Sequence, residues 1–354
     1  MSRFYFKVKS IILLVFSLYF SSLMGIEKSD IYDASWALII GIDKYENVQN
    51  LNYAVKDAES FKDVLINTFD FPKRNITLLK DKKATKNAII RAFSDITKKA
   101  NEKDRVIIYF AGHGETMDLP EGGEMGYLLP VDADDDLFVS AIAMDDLKRI
   151  SLMSKAKHLL YLIDACYGGI AAVGSRSLDA KITPNYIDKI TRNKARQVIT
   201  AGGRGEKVIE KPEWGHSAFT LNLNRGLKDG NADMNGDGYI TANELGLFLN
   251  EKVTIDSENQ QTPQYGRMTS QEGEFVFIYS ENTMINQNID ITDKDQKMDL
   301  ILDELAKLKS DIEIGDGENT NKTEKQNVSK KSMYFQIGIM VLIISLVMIG
   351  MIKR

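Results

Sequence analysis

The sequence predicts an α/β domain built on a mainly parallel sheet with helices on both faces. Three observations lead there. Through the middle of the 354-residue chain, apolar runs alternate with amphipathic helical stretches, the order in which a parallel sheet is wound. The runs are continuously apolar rather than alternating, as in strands buried on both faces. Several end in Gly or Asp, where a strand gives way to a loop.

In chain order the strands are "WALIIGID" (36–43), "NITLLKD" (75–81), "RVIIYFAGHG" (105–114), "HLLYLIDAC" (158–166), "RQVITAGG" (196–203) and "EFVFIYS" (274–280). Helical spacing of apolar residues marks 54–69, 85–100 and 144–153 between them. In sheets of this kind function gathers just beyond the carboxyl ends of the strands. Two of those ends carry reactive residues, in "FAGHG" and "IDACYGG".

Cys166 is the only cysteine, so it has no partner for an intramolecular disulfide and no second thiol to share a metal. Packing or nucleophilic chemistry remains. A free thiol is only slightly ionised at neutral pH, and an adjacent imidazole is what activates it. Of the three histidines, His158 opens a strand and reads as structural, and His216 stands where a helix begins, capping it or facing solvent. His113 lies between two glycines at a strand end, 53 positions before Cys166, where its ring can enter a cleft. Backbone N–H groups at Gly114 and Cys166 are candidates for an oxyanion hole.

These fragments together resemble the caspase-like cysteine peptidases, closest to the metacaspase and bacterial branches. The resemblance runs from about Trp36 to Tyr279, through "WALIIGIDKYE", "LNYAVKDAESF", "IIYFAGHG", "GYLLPVD", "YLIDACYGG", "ITAGG", "GHSAFT" and "QTPQYG". It implies a caspase-like fold in which His113 is general base and acid and Cys166 the nucleophile, working as a dyad. Asp164 stands where the caspase signature has Gln. Residues two apart on a strand share a face, so Asp164 should look into the same cleft as Cys166. The metacaspase resemblance implies that Asp164 and Asp57 form an acidic S1 pocket, hence cleavage after Arg or Lys. The sequence departs from that pattern at Ala54, Ala111 and Tyr167, which bears on the depth of the pocket and not on the dyad.

"DMNGDGYITANE" (233–244) matches an EF-hand-type calcium loop. Asp233, Asn235 and Asp237 supply positions 1, 3 and 5, Gly238 the turn, Tyr239 a carbonyl, Thr241 position 9 and Glu244 the twelfth. The expected cofactor is Ca²⁺, bound outside the cell with the modest affinity of an unpaired loop. The family resemblance adds a second, separate acidic cluster, for which Asp132, Asp145 and Asp146 are candidates.

The ends predict location. Residues 1–25 read as a signal peptide, or an uncleaved signal anchor. The peptidase-like domain spans 30–282, a short amphipathic helix 293–312, and a polar tether 313–332. Residues 333–352 form an apolar stretch long enough to span a bilayer, placing a single-pass C-terminal anchor in the membrane and the domain outside the cytoplasm. A net charge of −5 argues against a nucleic-acid partner; the expected partners are peptides or proteins with a basic P1 residue. Two alternatives stand beside the peptidase: a catalytically silent calcium-binding scaffold and a related transamidase. The oligomeric state is not legible.

Overall fold

A computed structural model describes residues 31–166, 186–280 and 283, and of Cys166 only the backbone. The chain divides into two units, 1–280 and 281–354, and the fold below belongs to the first. In chain order it contains β1 (Ser35–Gly41), α1 (Ala54–Phe69), β2 (Ile76–Lys80), α2 (Lys86–Lys99), β3 (Arg105–Ala111), β4 (Gly114–Asp118), β5 (Glu124–Leu128), α3 (Leu137–Ser140), β6 (Ile142–Ala143), α4 (Met144–Met153) and β7 (His158–Cys166). There follow α5 (Tyr186–Thr191), β8 (Ala195–Gly202), β9 (Glu210–Lys211), β10 (His216–Ser217), α6 (Ala218–Lys228), β11 (Tyr239–Thr241), α7 (Ala242–Asp256), β12 (Gln264–Arg267) and β13 (Val276–Ile278).

Six strands form the main sheet in the order β12-β8-β7-β3-β1-β2. All neighbours run parallel except β12, which closes one edge antiparallel to β8. Every residue of β3 is buried, as a central strand covered on both faces requires. On one face Ile39, Ile107, Leu160 and Leu162 pack against Phe61 and Leu65 of α1 and Phe219 and Leu223 of α6. On the other, Leu38, Ile108, Tyr161 and Ile163 meet Phe93 and Ile96 of α2 and Leu147 of α4. Each such side chain contributes roughly 1.5–3 kcal/mol by leaving water. The predicted sheet with helices on both faces is therefore present.

The expected strands at 36–43, 75–81, 158–166 and 196–203 all appear within a residue or two. Two expectations need correction. The run 105–114 is not one strand: β3 stops at Ala111, and β4 starts at Gly114 in a separate three-stranded sheet with β5 and β6. The run 274–280 is buried as expected, but β13 joins no part of the main sheet and pairs antiparallel with β11. Arg105 explains its position. This fully buried side chain donates Nη1 to the carbonyl of Val276 at 2.9 Å and Nε to Ser35 Oγ at 2.9 Å. Its guanidinium lies 4.7 Å from the ring of Phe71, so β13 is tied to the amino end of the sheet.

His158 is structural, as expected. It is fully buried, and since a carbonyl only accepts, its Nε2–H donates to Asn193 O at 3.0 Å. Its Nδ1 then accepts a hydrogen bond from the Tyr32 hydroxyl at 2.5 Å. Burial pushes the imidazole down to about 3, so the ring is neutral.

No helix among the described residues is long and apolar enough to cross a membrane. The signal at 1–25, the amphipathic helix at 293–312, the tether and the span at 333–352 lie outside the described residues.

Candidate active site

Strand pairing decides which loops meet. β3 and β7 are parallel neighbours whose register ends at Ala111 opposite Asp164, and the Gly112 N–H reaches the Asp164 carbonyl at 3.3 Å. His113 follows β3 by two residues and Cys166 closes β7, so the backbone delivers both to the carboxyl ends of adjacent strands. The pairing of β7 with β8 is irregular between Ile163 and Cys166, with Cys166 opposite Gly202. Irregularities of this kind re-aim side chains beside functional sites.

His113 is held from three sides. Its N–H donates to the Tyr45 hydroxyl at 2.8 Å, and the two rings lie 4.9 Å apart. Its carbonyl accepts from Leu129 N at 3.0 Å. Its Nε2 lies 2.7 Å from the carbonyl of Gln49, which can only accept, so Nε2 carries the proton and Nδ1 is left as the basic nitrogen. Gly112 is needed for this clamp, because a Cβ there would lie 2.5 Å from the Tyr45 hydroxyl. The Leu129-to-His113 bond also makes 113 and 129 the hydrogen-bonded pair of the β4–β5 ladder. Gly114, opposite Leu128, therefore occupies a non-hydrogen-bonded position with its amide directed away from β5.

Asp57 and Asp164 meet although 107 residues separate them in the sequence. Asp164 continues the face of Leu160 and Leu162, toward α1 and α6, and Asp57 looks inward from the first turn of α1. Ser217 joins them. Its N–H donates to Asp57 Oδ2 at 3.1 Å and its hydroxyl to Asp164 Oδ2 at 2.5 Å. The same hydroxyl accepts the Thr220 N–H and so caps α6. Thr220 Oγ1 adds a second donor to Asp164 Oδ2 at 2.6 Å. Among the described residues Asp164 Oδ1 is buried without a hydrogen-bond partner. Burial raises both carboxyls above the ordinary range, and for Asp164 the neighbouring charge of Asp57 raises it further. Two such groups in one enclosure favour a cation that neutralises them.

Sequence reasoning missed two further members. The His216 imidazole, 18% exposed, places Nδ1 2.5 Å from Asp57 Oδ1; the sequence suggested a cap or a solvent-facing ring, whereas Ser217 is the cap. Glu210 on β9 accepts from Tyr53 N at 3.3 Å, and burial and then the Asp57 charge raise it. The only signal for His216 was its place in "GHSAFT", beside the residue that joins the pair.

The 233–244 loop lies between α6 and α7. Asp233 accepts the N–H groups of Gly236, Asp237 and Gly238, and Gly236 and Gly238 take the positive φ angles the turn requires. Thr241 and Glu244 form a capping box at the start of α7. Among the described residues Glu244 Oε1 is buried without a hydrogen-bond partner, and burial pushes its carboxyl up to about 7, with smaller contributions from Asp237 and Asp233. Among the described residues no three His, Cys, Asp or Glu side chains converge as a ready metal centre. The donors are nonetheless all oxygens, and an orphaned buried carboxylate oxygen is what a hard cation satisfies, so this chemistry fits Ca²⁺. Asp132 accepts from the Lys86 N–H at 2.9 Å and Asp146 pairs with Arg149 at 2.8 Å. Asp132, Asp145 and Asp146 are not gathered into a second acidic cluster among the described residues.

A family model, the caspase domain, matches residues 34–273. A protein named "Probable protease" from a Desulfuromonadales bacterium is 30% identical over 243 residues, covering 62% of this chain and 29% of that protein. Metacaspase-1 of Eremothecium gossypii is 28% identical over 145 residues, 38% of this chain and 32% of that one. The chain spans about a third of the length of these curated relatives. Among solved structures, caspase-1 from Spodoptera frugiperda covers 73% of this chain and 99% of its own at 15% identity, with a TM-score of 0.47.

Proposed function

The chain belongs to the caspase-domain family, and from that premise we propose that it is a membrane-tethered cysteine endopeptidase cleaving after Arg or Lys. The observation that carries this reading is the buried Asp57–Ser217–Asp164 assembly beside the strand ends that bear His113 and Cys166. Two carboxyls held out of water, one with an unpartnered oxygen, make an enclosure for a guanidinium or ammonium and a hostile one for an aspartate.

In this mechanism the Cys166 sulfur attacks the scissile carbonyl carbon after its proton passes to Nδ1 of His113. The Gln49 carbonyl holds the opposite nitrogen protonated and stabilises the imidazolium. The developing oxyanion accepts from the N–H groups of Gly114 and Cys166. His113 gives its proton to the leaving amine, the C–N bond breaks, and a thioester remains. Water, losing its proton to His113, then adds to that carbonyl and the thiol leaves.

Calcium dependence is the second part of the proposal. Asp233, Asn235, Asp237, the Tyr239 carbonyl, Thr241 and Glu244 would hold the ion, which when bound supplies a fixed double positive charge that draws these oxygens together. The loop adjoins the chain that returns from the nucleophile: Tyr239 and Ile187 of α5 share one apolar cluster. The Tyr186 hydroxyl is raised by burial and by the charges of Glu274, Glu244 and Asp237. Location outside the cytoplasm, anchored by residues 333–352, is proposed from the apolar sequence there.

The test is hydrolysis by the full chain in detergent of matched peptides with Arg or Asp at P1, beside Cys166→Ala. Turnover of the Arg peptide alone, lost in Cys166→Ala, is the expected result; turnover of the Asp peptide would overturn the acidic pocket.

A further inference from the structure

His216 contacts the acidic pair, yet neither the dyad nor the P1 carboxylates require it. Its Nδ1 lies 2.5 Å from Asp57 Oδ1, on a ring still 18% exposed, and Asp57 itself is 1% exposed. Position 216 is therefore where the buried acid meets solvent. A carboxylate only accepts, so Nδ1 carries hydrogen when Asp57 is ionised. The other ring nitrogen, Nε2, then switches with protonation. In the neutral ring it is an acceptor, and in the imidazolium it is a donor carrying charge.

Other charged groups surround this contact. α1 contributes Lys56, whose ammonium lies against Gly215, and Asp57 itself. β7 contributes Asp164, which feels the charges of Asp57 and Glu210. β9 contributes Glu210 and Lys211, the latter opposite His216 in the β9–β10 ladder but drawn toward Glu258 at 3.2 Å and over Trp214. Three carboxyls with one imidazole at their exposed side make a pocket whose net charge changes by one when that imidazole titrates.

We propose that His216 is a specificity-determining residue of the S1 pocket, its protonation state setting how strongly the pocket prefers a cationic P1 side chain. This deepens the peptidase reading and rests on it. A protonated His216 is itself the counter-ion of Asp57 and competes with the substrate's cation. A neutral His216 leaves the Asp57 charge to the substrate and adds an acceptor in place of a donor. Preference for a basic P1 residue therefore rises with pH.

The experiment compares two peptides identical except at P1, one with arginine and one with citrulline, its uncharged near-isostere. Neither side chain titrates between pH 5.5 and 7.5, and the pH dependence of the dyad cancels in the ratio of their kcat/KM values. For the full chain the Arg-to-citrulline ratio is expected to rise severalfold with pH over that range. His216→Asn, which keeps a donor near the Nδ1 position but cannot titrate, should show a clearly smaller rise, the remainder belonging to the raised carboxyls; His216→Gln serves as a second non-titrating variant. A pH-independent ratio in the unsubstituted protein overturns the inference, without any variant being needed. So does a rise that persists undiminished in His216→Asn and His216→Gln, since the carboxyls alone would then account for it. Hydrolysis of neither peptide overturns the peptidase reading and this one with it, so the two failures are distinguishable.

Discussion

Ser217 shows how much a single side chain coordinates at this site. Its hydroxyl receives the α6 cap N–H and donates to Asp164, while its own N–H goes to Asp57. Ser217→Ala should lower stability by about 1 kcal/mol through the lost cap, read as a lower unfolding midpoint. It should also lower kcat/KM for P1-Arg peptides more than for P1-citrulline, because Asp164 loses one of its hydroxyl donors. Tyr45→Phe makes a different prediction: His113 loses the acceptor for its N–H, so kcat should fall about tenfold with little change in KM, as for a positioning residue. These residues were unequally legible in the sequence. His113, Cys166, Asp57 and Asp164 stood in motifs that resemble a family, whereas the His216–Asp57 contact joins residues 159 positions apart and left no local pattern.

At the level of elements, the amino end of the sheet is fastened in part by a group that must stay uncharged. His158 at the start of β7 is neutral, its imidazole pushed down to about 3 by burial, against about 6.5 in an unfolded chain. The unfolded chain takes up the proton first as pH falls. The stability this ring contributes is thus complete above pH 6.5 and is lost as pH falls toward 3, at no more than about 1.4 kcal/mol per unit. Denaturant unfolding at pH 7.5 and 5 should show that loss, reduced in His158→Asn. Asp57 and Asp164 act in the opposite sense, because raised folded-state values favour the acid form; the His158 variant separates the two. The main strands were readable because both their faces are apolar. β12 was not, since "QTPQYG" contains no apolar run and owes its strand to pairing with the exposed edge of β8. β13 looked like another sheet strand because the apolar content of "EFVFIYS" does not distinguish a place in the main sheet from one beside β11, the strand of the 233–244 loop.

At the scale of the whole molecule, a caspase-type sheet and the 233–244 loop share one core, so the proposed ion binding would be linked to folding. The strand of the loop, β11, finds its partner in β13, so the loop is braced by the domain itself. Calcium at about ten times its Kd should stabilise the full chain by about 1.4 kcal/mol, seen as a raised unfolding midpoint with Glu244→Gln abolishing the shift. Hydrolysis in excess EGTA equal to that in millimolar calcium would remove the proposed dependence of activity and leave only the stability prediction standing. The central claim, a thiol at residue 166 served by an acidic P1 pocket, is tested most directly by covalent capture. The full chain is treated with a peptidyl-Arg chloromethylketone or its Asp counterpart and mapped by mass spectrometry. A single adduct on Cys166 from the Arg reagent, suppressed in Asp164→Asn and absent with the Asp reagent, is the predicted result. Labelling of Cys166 by the Asp reagent, or none by the Arg reagent, would contradict it.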